Sequence, residues 1–286
     1  MSSLRDIRKR LHSVENIRQM TEAMEMVAAS QLRRAKAKAE QARPYALTIK
    51  HLVGNLSSSV HELNPFFMRR EVKKTAVVII AGDRGLCGSY NTSLFATAER
   101  FLSQYQPEHL ELILIGSKTV EYFKRKAWSI RKEIVDWGGK LASDEVKTLS
   151  NELVHGFEAK VFDEVWLVYT HYVHLALREI KVEKFLNIHP PPSPKDLHPL
   201  NYLFEPSADV LLAEIIPRYC FTILSAALNE AYAAELSARI FSMRTAVKNA
   251  EELIEKLTLE RNKVRQMGIT TEMLEITSGT ESLRSP

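Results

Sequence analysis

The chain has 286 residues, of which 45% are hydrophobic and 26% charged. That is the composition of a folded protein with room for a sizeable core, and it excludes a disordered chain. A formal net charge of +4 is too mild to argue for nucleic-acid binding. The two cysteines, Cys87 and Cys220, form no CxxC, so they give neither a disulfide framework nor a zinc site and suit a reducing compartment.

The N-terminus, MSSLRDIRKRLHSVENIRQM, has arginines but no apolar h-region, and Asp6 and Glu15 argue against a transit peptide. The best apolar runs, Ala76 to Ala81 and Val210 to Ile216, are short, and no span of about 18 apolar residues is expected. From Leu4 the apolar positions run Leu4, Ile7, Leu11, Val14, Ile17, Met20, Met24 and Val27. Spacings of three and four define one stripe on a helix, with an extra three around Ile17 that reads as a stammer. No glycine intervenes before Gly54, so the pattern predicts a helix of about 40 residues or more, kinked or divided at Pro44.

The middle of the chain changes period. Thr75 to Ala81, Glu111 to Gly116 and Asp163 to Thr170 are short apolar runs of buried-strand type, and Arg178 to Ile188 alternates like a half-exposed strand. Helical patterns cover Tyr90 to Phe101 and Glu145 to Phe157, so strands alternate with helices as in an α/β sheet. The proline-rich stretch from His189 to Pro199 reads as an extended linker. Beyond it, Leu236, Ile240, Met243, Val247, Ala250, Ile254, Leu257 and Val264 keep a coiled-coil spacing. Between Ser207 and Met267 there is no glycine, and a helix of that length would extend about 90 Å.

These elements predict an α/β fold in which the N- and C-terminal helices pair as an antiparallel two-helix coiled coil around an inserted α/β domain. The expected division is a first helix over 1–60, an α/β domain over 70–200 and a last helix over 207–286. Each apolar side chain buried in the pairing contributes about 1.5 to 3 kcal/mol.

Gly82, Gly85 and Gly88 in "GDRGLCGSYN" sit where a strand meets a helix. Their spacing is neither GxGxxG nor a P-loop, which would end in Gly-Lys-Ser/Thr. Two readings stand: an anion held by free N–H groups at the helix start, or a tight structural turn in which Asp83 and Arg84 hold the loop by side-chain hydrogen bonds. Cys87 lies near a helix start, where a thiol pKa can fall, but no partner histidine is close in sequence. The histidines show no HExxH and the serines no GxSxG, so no catalytic constellation assembles. Four cations in Arg33 to Lys38 are either a solvated face or a contact for an acidic partner. Arg261 to Glu272 is rich in hydrogen-bonding side chains and stays amphipathic through Ile276, which fits a surrounding partner better than a frayed end.

Three blocks, "DIRKRLHSVENIRQMTEAMEMVAAS", "GDRGLCGSYN" and "ELSARIFSMRTAVKNAEELIEKLTLERNKVRQMGITTEMLEITSG", resemble the gamma subunit of F-type ATP synthase, in order and over essentially the whole chain. The resemblance implies a Rossmann-like α/β domain and a coiled-coil rotor shaft. It also implies partners: three alpha and three beta subunits around the shaft, with epsilon and the membrane c-ring at its foot. The subunit itself would bind no nucleotide, hold no cofactor or metal and make no bond. On this resemblance Gly82, Asp83, Arg84, Gly85 and Gly88 form a structural turn. Arg265, Gln266 and Thr270 would touch the beta catch loop, and Met24 would face the acidic lever of beta, with Arg33, Arg34 and Lys36 as steering cations. Glu235 and Arg239 match a polar pair of the last helix. The family's TDNA is here Val247-Lys248-Asn249-Ala250, which puts any contact made by that aspartate in doubt. The cysteine-bearing insertion of chloroplast members is missing, and with it thiol regulation. The implied location is peripheral, on the cytoplasmic face of a bacterial inner membrane. The competing expectation is a free-standing coiled-coil adaptor with a nucleotide-binding α/β domain.

Overall fold

The computed structural model describes residues 3–60, 64–68, 70–188 and 208–282. The expected proline-rich linker lies outside them. Two compact units are present, Met1–Val27 with Ser242–Pro286, and Ala28–Phe241.

Helix α1 spans Leu4–Val60 and helix α5 spans Ala208–Ser282. Ser3 caps α1: its Oγ accepts from Asp6 N at 3.2 Å, and its own N and Oγ donate back to the Asp6 carboxylate. The expectation of a helix divided at Pro44 is corrected, since α1 continues through it. Pro44 lies on the exposed side of the helix, and the turns before and after it are held by buried Ala39 and Ile49. One lost backbone hydrogen bond there does not outweigh that packing.

In the first unit α1 buries Ile7 and Thr21 and half-buries Leu4, Leu11, Val14, Arg18 and Glu25. The stammer expected at Ile17 is therefore absent. The seam keeps an unbroken alternation of three and four by passing through the polar Arg18, Thr21 and Glu25, while Ile17, Met20, Met24 and Val27 are exposed. Polar residues sit in the seam because they are satisfied there: Thr21 Oγ1 donates to Ile17 O at 2.7 Å, and Glu25 accepts from Arg244 Nε at 2.5 Å. On α5 the expected stripe holds, with Met243, Ala250 and Leu257 buried. The contact of Glu25 with Arg244 places the end of one segment against the start of the other, so the two run antiparallel.

The second unit holds a five-stranded sheet ordered β3-β2-β1-β4-β5, with β1 at Thr75–Ile80, β2 at Leu110–Ile115, β3 at Ile130–Ile134, β4 at Glu164–His174 and β5 at Leu177–Leu186. All pairs are parallel except the β4–β5 hairpin. Every residue of β1 is buried, as a central parallel strand covered on both faces requires. One face packs Val77, Ile79 and Leu112 against α2 (Tyr90–Leu102) and α3 (Ser117–Phe123). The other packs Val78, Ile80 and Ile113 with Leu149 and Phe157 of α4 (Ser143–Glu158) and with Leu212, Ile216 and Leu224 of α5. Ile49, Val53 and Leu56 of α1 join the cluster that holds Leu212 and Ile216, whereas Ala28, Leu32 and Ala35 join Ala234 and Ile240. Rising numbers on α1 meet falling numbers on α5, so the helices are antiparallel here too.

The expectation that no stretch is apolar enough for a membrane is corrected as well. By length and composition α5 contains an 18-residue window of mean hydropathy 1.5 within Val210–Thr280, 39% of it buried. Such a window also describes a core helix, and in the second unit Leu212, Ile216, Leu224 and Leu228 of α5 belong to the core beside the sheet.

Candidate functional site

The turn from Gly82 to Ser89 links β1 to α2 and owes its shape to Asp83. This carboxylate accepts from Ser117 N and Oγ at 2.8 and 2.9 Å, from Asp136 N at 2.9 Å and from Gly138 N at 2.7 Å. It thereby ties the loops after β1, β2 and β3 together. Arg84 takes no part in this bracing, since it is exposed and its charge reaches Glu235 only at a distance. The glycines divide by cause. A Cβ on Gly82 would lie 2.8 to 3.0 Å from the Glu235 carboxyl atoms, so a side chain there would displace that carboxylate. Gly88 has a φ of 58°, which favours glycine, while Leu86 adopts φ 63° without it. Gly85 has open space where a Cβ would stand.

The same carboxylates weigh against an anion at the turn. An anion at the start of α2 would meet Asp83 and the buried Glu235, which argues for the structural turn. Burial pushes the Glu235 carboxyl above its ordinary range, and the guanidinium of Arg239, 2.6 Å away, only partly offsets this. Cys87, despite its place near a helix start, is not an activated thiol: burial and the nearby Glu235 charge raise its pKa, and its Sγ lies 3.8 Å from Arg84 O. Among the described residues no three His, Cys, Asp or Glu side chains are grouped to hold a metal ion.

The other anticipated residues fall into two sets. Met24, Arg265, Gln266 and Thr270 belong to the helical unit and are all exposed; Thr270 Oγ1 donates to Gln266 O at 2.9 Å. Arg33, Arg34 and Lys36 belong to the second unit and are exposed, with Lys36 paired to Glu40 at 3.5 Å. Lys248 is exposed as well. Two features escaped the sequence reading. Ile17, Met20 and Val27 flank Met24 as exposed apolar side chains, a consequence of the polar seam. The loop Asp136 to Lys140, with its two left-handed glycines Gly138 and Gly139, is organised by Asp83; the pair of glycines after Trp137 was the available signal.

The chain thus has an antiparallel pair of terminal helical segments with exposed apolar side chains in one unit, and a largely parallel α/β sheet in the other. The family model described as ATP synthase matches residues 3–283. The ATP synthase gamma chain of Protochlamydia amoebophila is 50% identical over 285 residues, covering 99% of this chain and all of its own. That of Desulforamulus reducens is 39% identical over 285 residues with the same coverage. A chain of the Euglena gracilis mitochondrial ATP synthase shares the fold with a TM-score of 0.71 at 17% identity, over 98% of this chain and 94% of its own. A chain from the central stalk and c-ring structure of the Tetrahymena thermophila enzyme does so with 0.62 at 20%, over 79% and 99%. The chain belongs to the ATP synthase gamma chain family.

Proposed function

We propose that this chain is the central rotor stalk of an F-type ATP synthase, coupling rotation of a membrane c-ring to ATP synthesis or hydrolysis in a head of three alpha and three beta subunits. The carrying observation is the uncovered apolar surface of the helical unit: Ile17, Met20 and Met24 on α1 and Ile269, Met273 and Ile276 on α5 are 43 to 70% exposed. Apolar patches of this kind are expected where another protein surrounds the chain.

The coupling is conformational. A shaft with different faces presents different contacts to three otherwise equivalent catalytic sites, and a difference of about 1.4 kcal/mol in contact energy shifts a two-state site tenfold. Met24 faces the acidic lever of beta, Arg33, Arg34 and Lys36 steer it, and Arg265, Gln266 and Thr270 engage its catch loop. Glu235 and Arg239 brace the turn at Gly82, and the α/β unit carries the contacts to epsilon and the c-ring. Chemistry belongs to the partners. The protein is peripheral to the membrane through the c-ring, at the cytoplasmic face. Membrane vesicles assembled with Arg265→Ala/Gln266→Ala test the contact: coupled ATP synthesis or assembly should fall several-fold, and normal coupling and assembly would remove both residues from the role.

A further inference from the structure

The second unit contains a cleft of about 510 Å³ between α1, α5, the loop after Trp137 and the first turn of α4, to which neither the turn at Gly82 nor the exposed helical surface belongs. Clefts of this volume hold molecules of drug or nucleotide size. Among the described residues Arg34, Lys38 and Lys140 line it, and no carboxylate does. The nearby Lys36, by contrast, is paired with Glu40 and does not line it. The aromatic side chains Trp137, Phe221 and Tyr232 complete the wall.

This wall is held in place. Trp137 is buried and its Nε1 donates to Ala81 O at 3.1 Å. Lys140 N donates to Trp137 O at 2.8 Å, closing a turn whose Gly138 N is fixed by Asp83. Gly139 packs so close to Tyr232 that an added Cβ would stand 1.9 Å from the ring. Cations gathered without an acidic partner repel one another, and an anion in the cleft would relieve that repulsion. An aromatic and aliphatic wall beside the charges favours a planar ring on the same molecule.

We propose that this cleft binds a nucleoside phosphate, its phosphates held by Arg34, Lys38 and Lys140 and its base against the wall of Trp137, Phe221 and Tyr232. The inference departs from the expectation of a chain that binds no nucleotide; it shares Arg34 with the proposed approach to beta but does not depend on that contact. The ligand adds no chemistry; bound there, it bridges α1, α5 and the loop after β3.

The test uses the isolated full-length chain, ATP as probe, tryptophan fluorescence and calorimetry. Saturable binding at one molecule per chain is expected, weakened at least tenfold by Lys38→Ala/Lys140→Ala and unchanged by Lys147→Ala, at an exposed lysine that does not line the cleft. Higher salt should weaken it further. Adenosine and pyrophosphate, each carrying half of the chemistry, should bind at least tenfold more weakly than ATP. No saturation at millimolar ATP overturns the proposal, as does binding that survives the double substitution in a chain of unchanged circular dichroism. Pyrophosphate binding as tightly as ATP, or an acidic peptide occupying the cleft that ATP does not enter, would also overturn it. Coupling is not read in this assay, so its failure leaves the rotor reading untouched.

Discussion

The two units treat apolar side chains in opposite ways. In the α/β unit Val77, Leu112, Phe157 and Val168 are wholly buried, and the central strand β1 is covered along its whole length. In the helical unit Met20, Met273, Leu274 and Ile276 are 56 to 70% exposed, although they are as apolar as any core residue. Two helices cover only one stripe each. The α/β unit is closed by its own chain, whereas the helical unit leaves apolar side chains uncovered.

The largest expected effect breaks the closed unit. Phe157→Ala should cost about 3 to 5 kcal/mol in denaturant unfolding, because Phe66 stacks on it at 5.2 Å and the Arg70 guanidinium lies 4.4 Å from its ring. Ile276→Ala should change the stability of the isolated chain by less than about 0.5 kcal/mol while lowering coupled synthesis in the assembled enzyme. An equal loss of stability in both variants would erase the distinction between the units.

Next comes the pair behind the Gly82 turn. Glu235→Ala leaves Arg239 without its partner in a mostly buried position and should cost about 3 kcal/mol. Glu235→Gln keeps an acceptor for Arg239. Because the folded-state pKa of Glu235 is raised, its contribution to stability is full below the ordinary carboxylate pKa and is lost as pH rises through the folded value. The Gln variant should therefore gain on the natural protein as pH goes from 4 to 7 in thermal melts.

A smaller effect of opposite sign is expected at Glu164. Burial raises its pKa, but the contact with Lys184 at 2.8 Å and the hydrogen bond from the Tyr105 hydroxyl at 3.0 Å help to outweigh it and leave the group lowered. Its stabilisation is present above the ordinary carboxylate pKa and is lost as pH falls through the folded value. Glu164→Gln should cost about 1 to 3 kcal/mol at pH 7, and less with each step into acid. Identical pH slopes for the two variants would contradict the assignment of these environments. The smallest effect concerns Cys87, whose raised pKa predicts slow alkylation at pH 7 in the folded chain and fast alkylation only after unfolding.

The α/β unit was largely legible in the sequence, because TAVVII, ELILIG and DEVWLVYT carry continuous apolar runs that only a covered strand explains. Helix α3 and strand β3 were missed: Lys118 to Lys132 is dense in charge, and the edge strand IRKEI is exposed at every second residue. The seam of α1 was misread for a deeper reason. Periodicity assigns the apolar residue to the interface, yet Arg18, Thr21 and Glu25 occupy it because each finds a partner, and this exposes the apolar face beside Met24. Of the turn at Gly82, the role of Asp83 was legible from residue type. The reason for Gly82 was not, since it depends on Glu235, more than 150 residues further along.

The most direct measurement fixes the alpha and beta ring to a surface, attaches a probe to an exposed site on the α/β unit of this chain, and adds ATP. Continuous rotation in one direction, stopping when ATP is removed, is the predicted result. ATP hydrolysis by the assembled complex with a stationary probe would contradict the account.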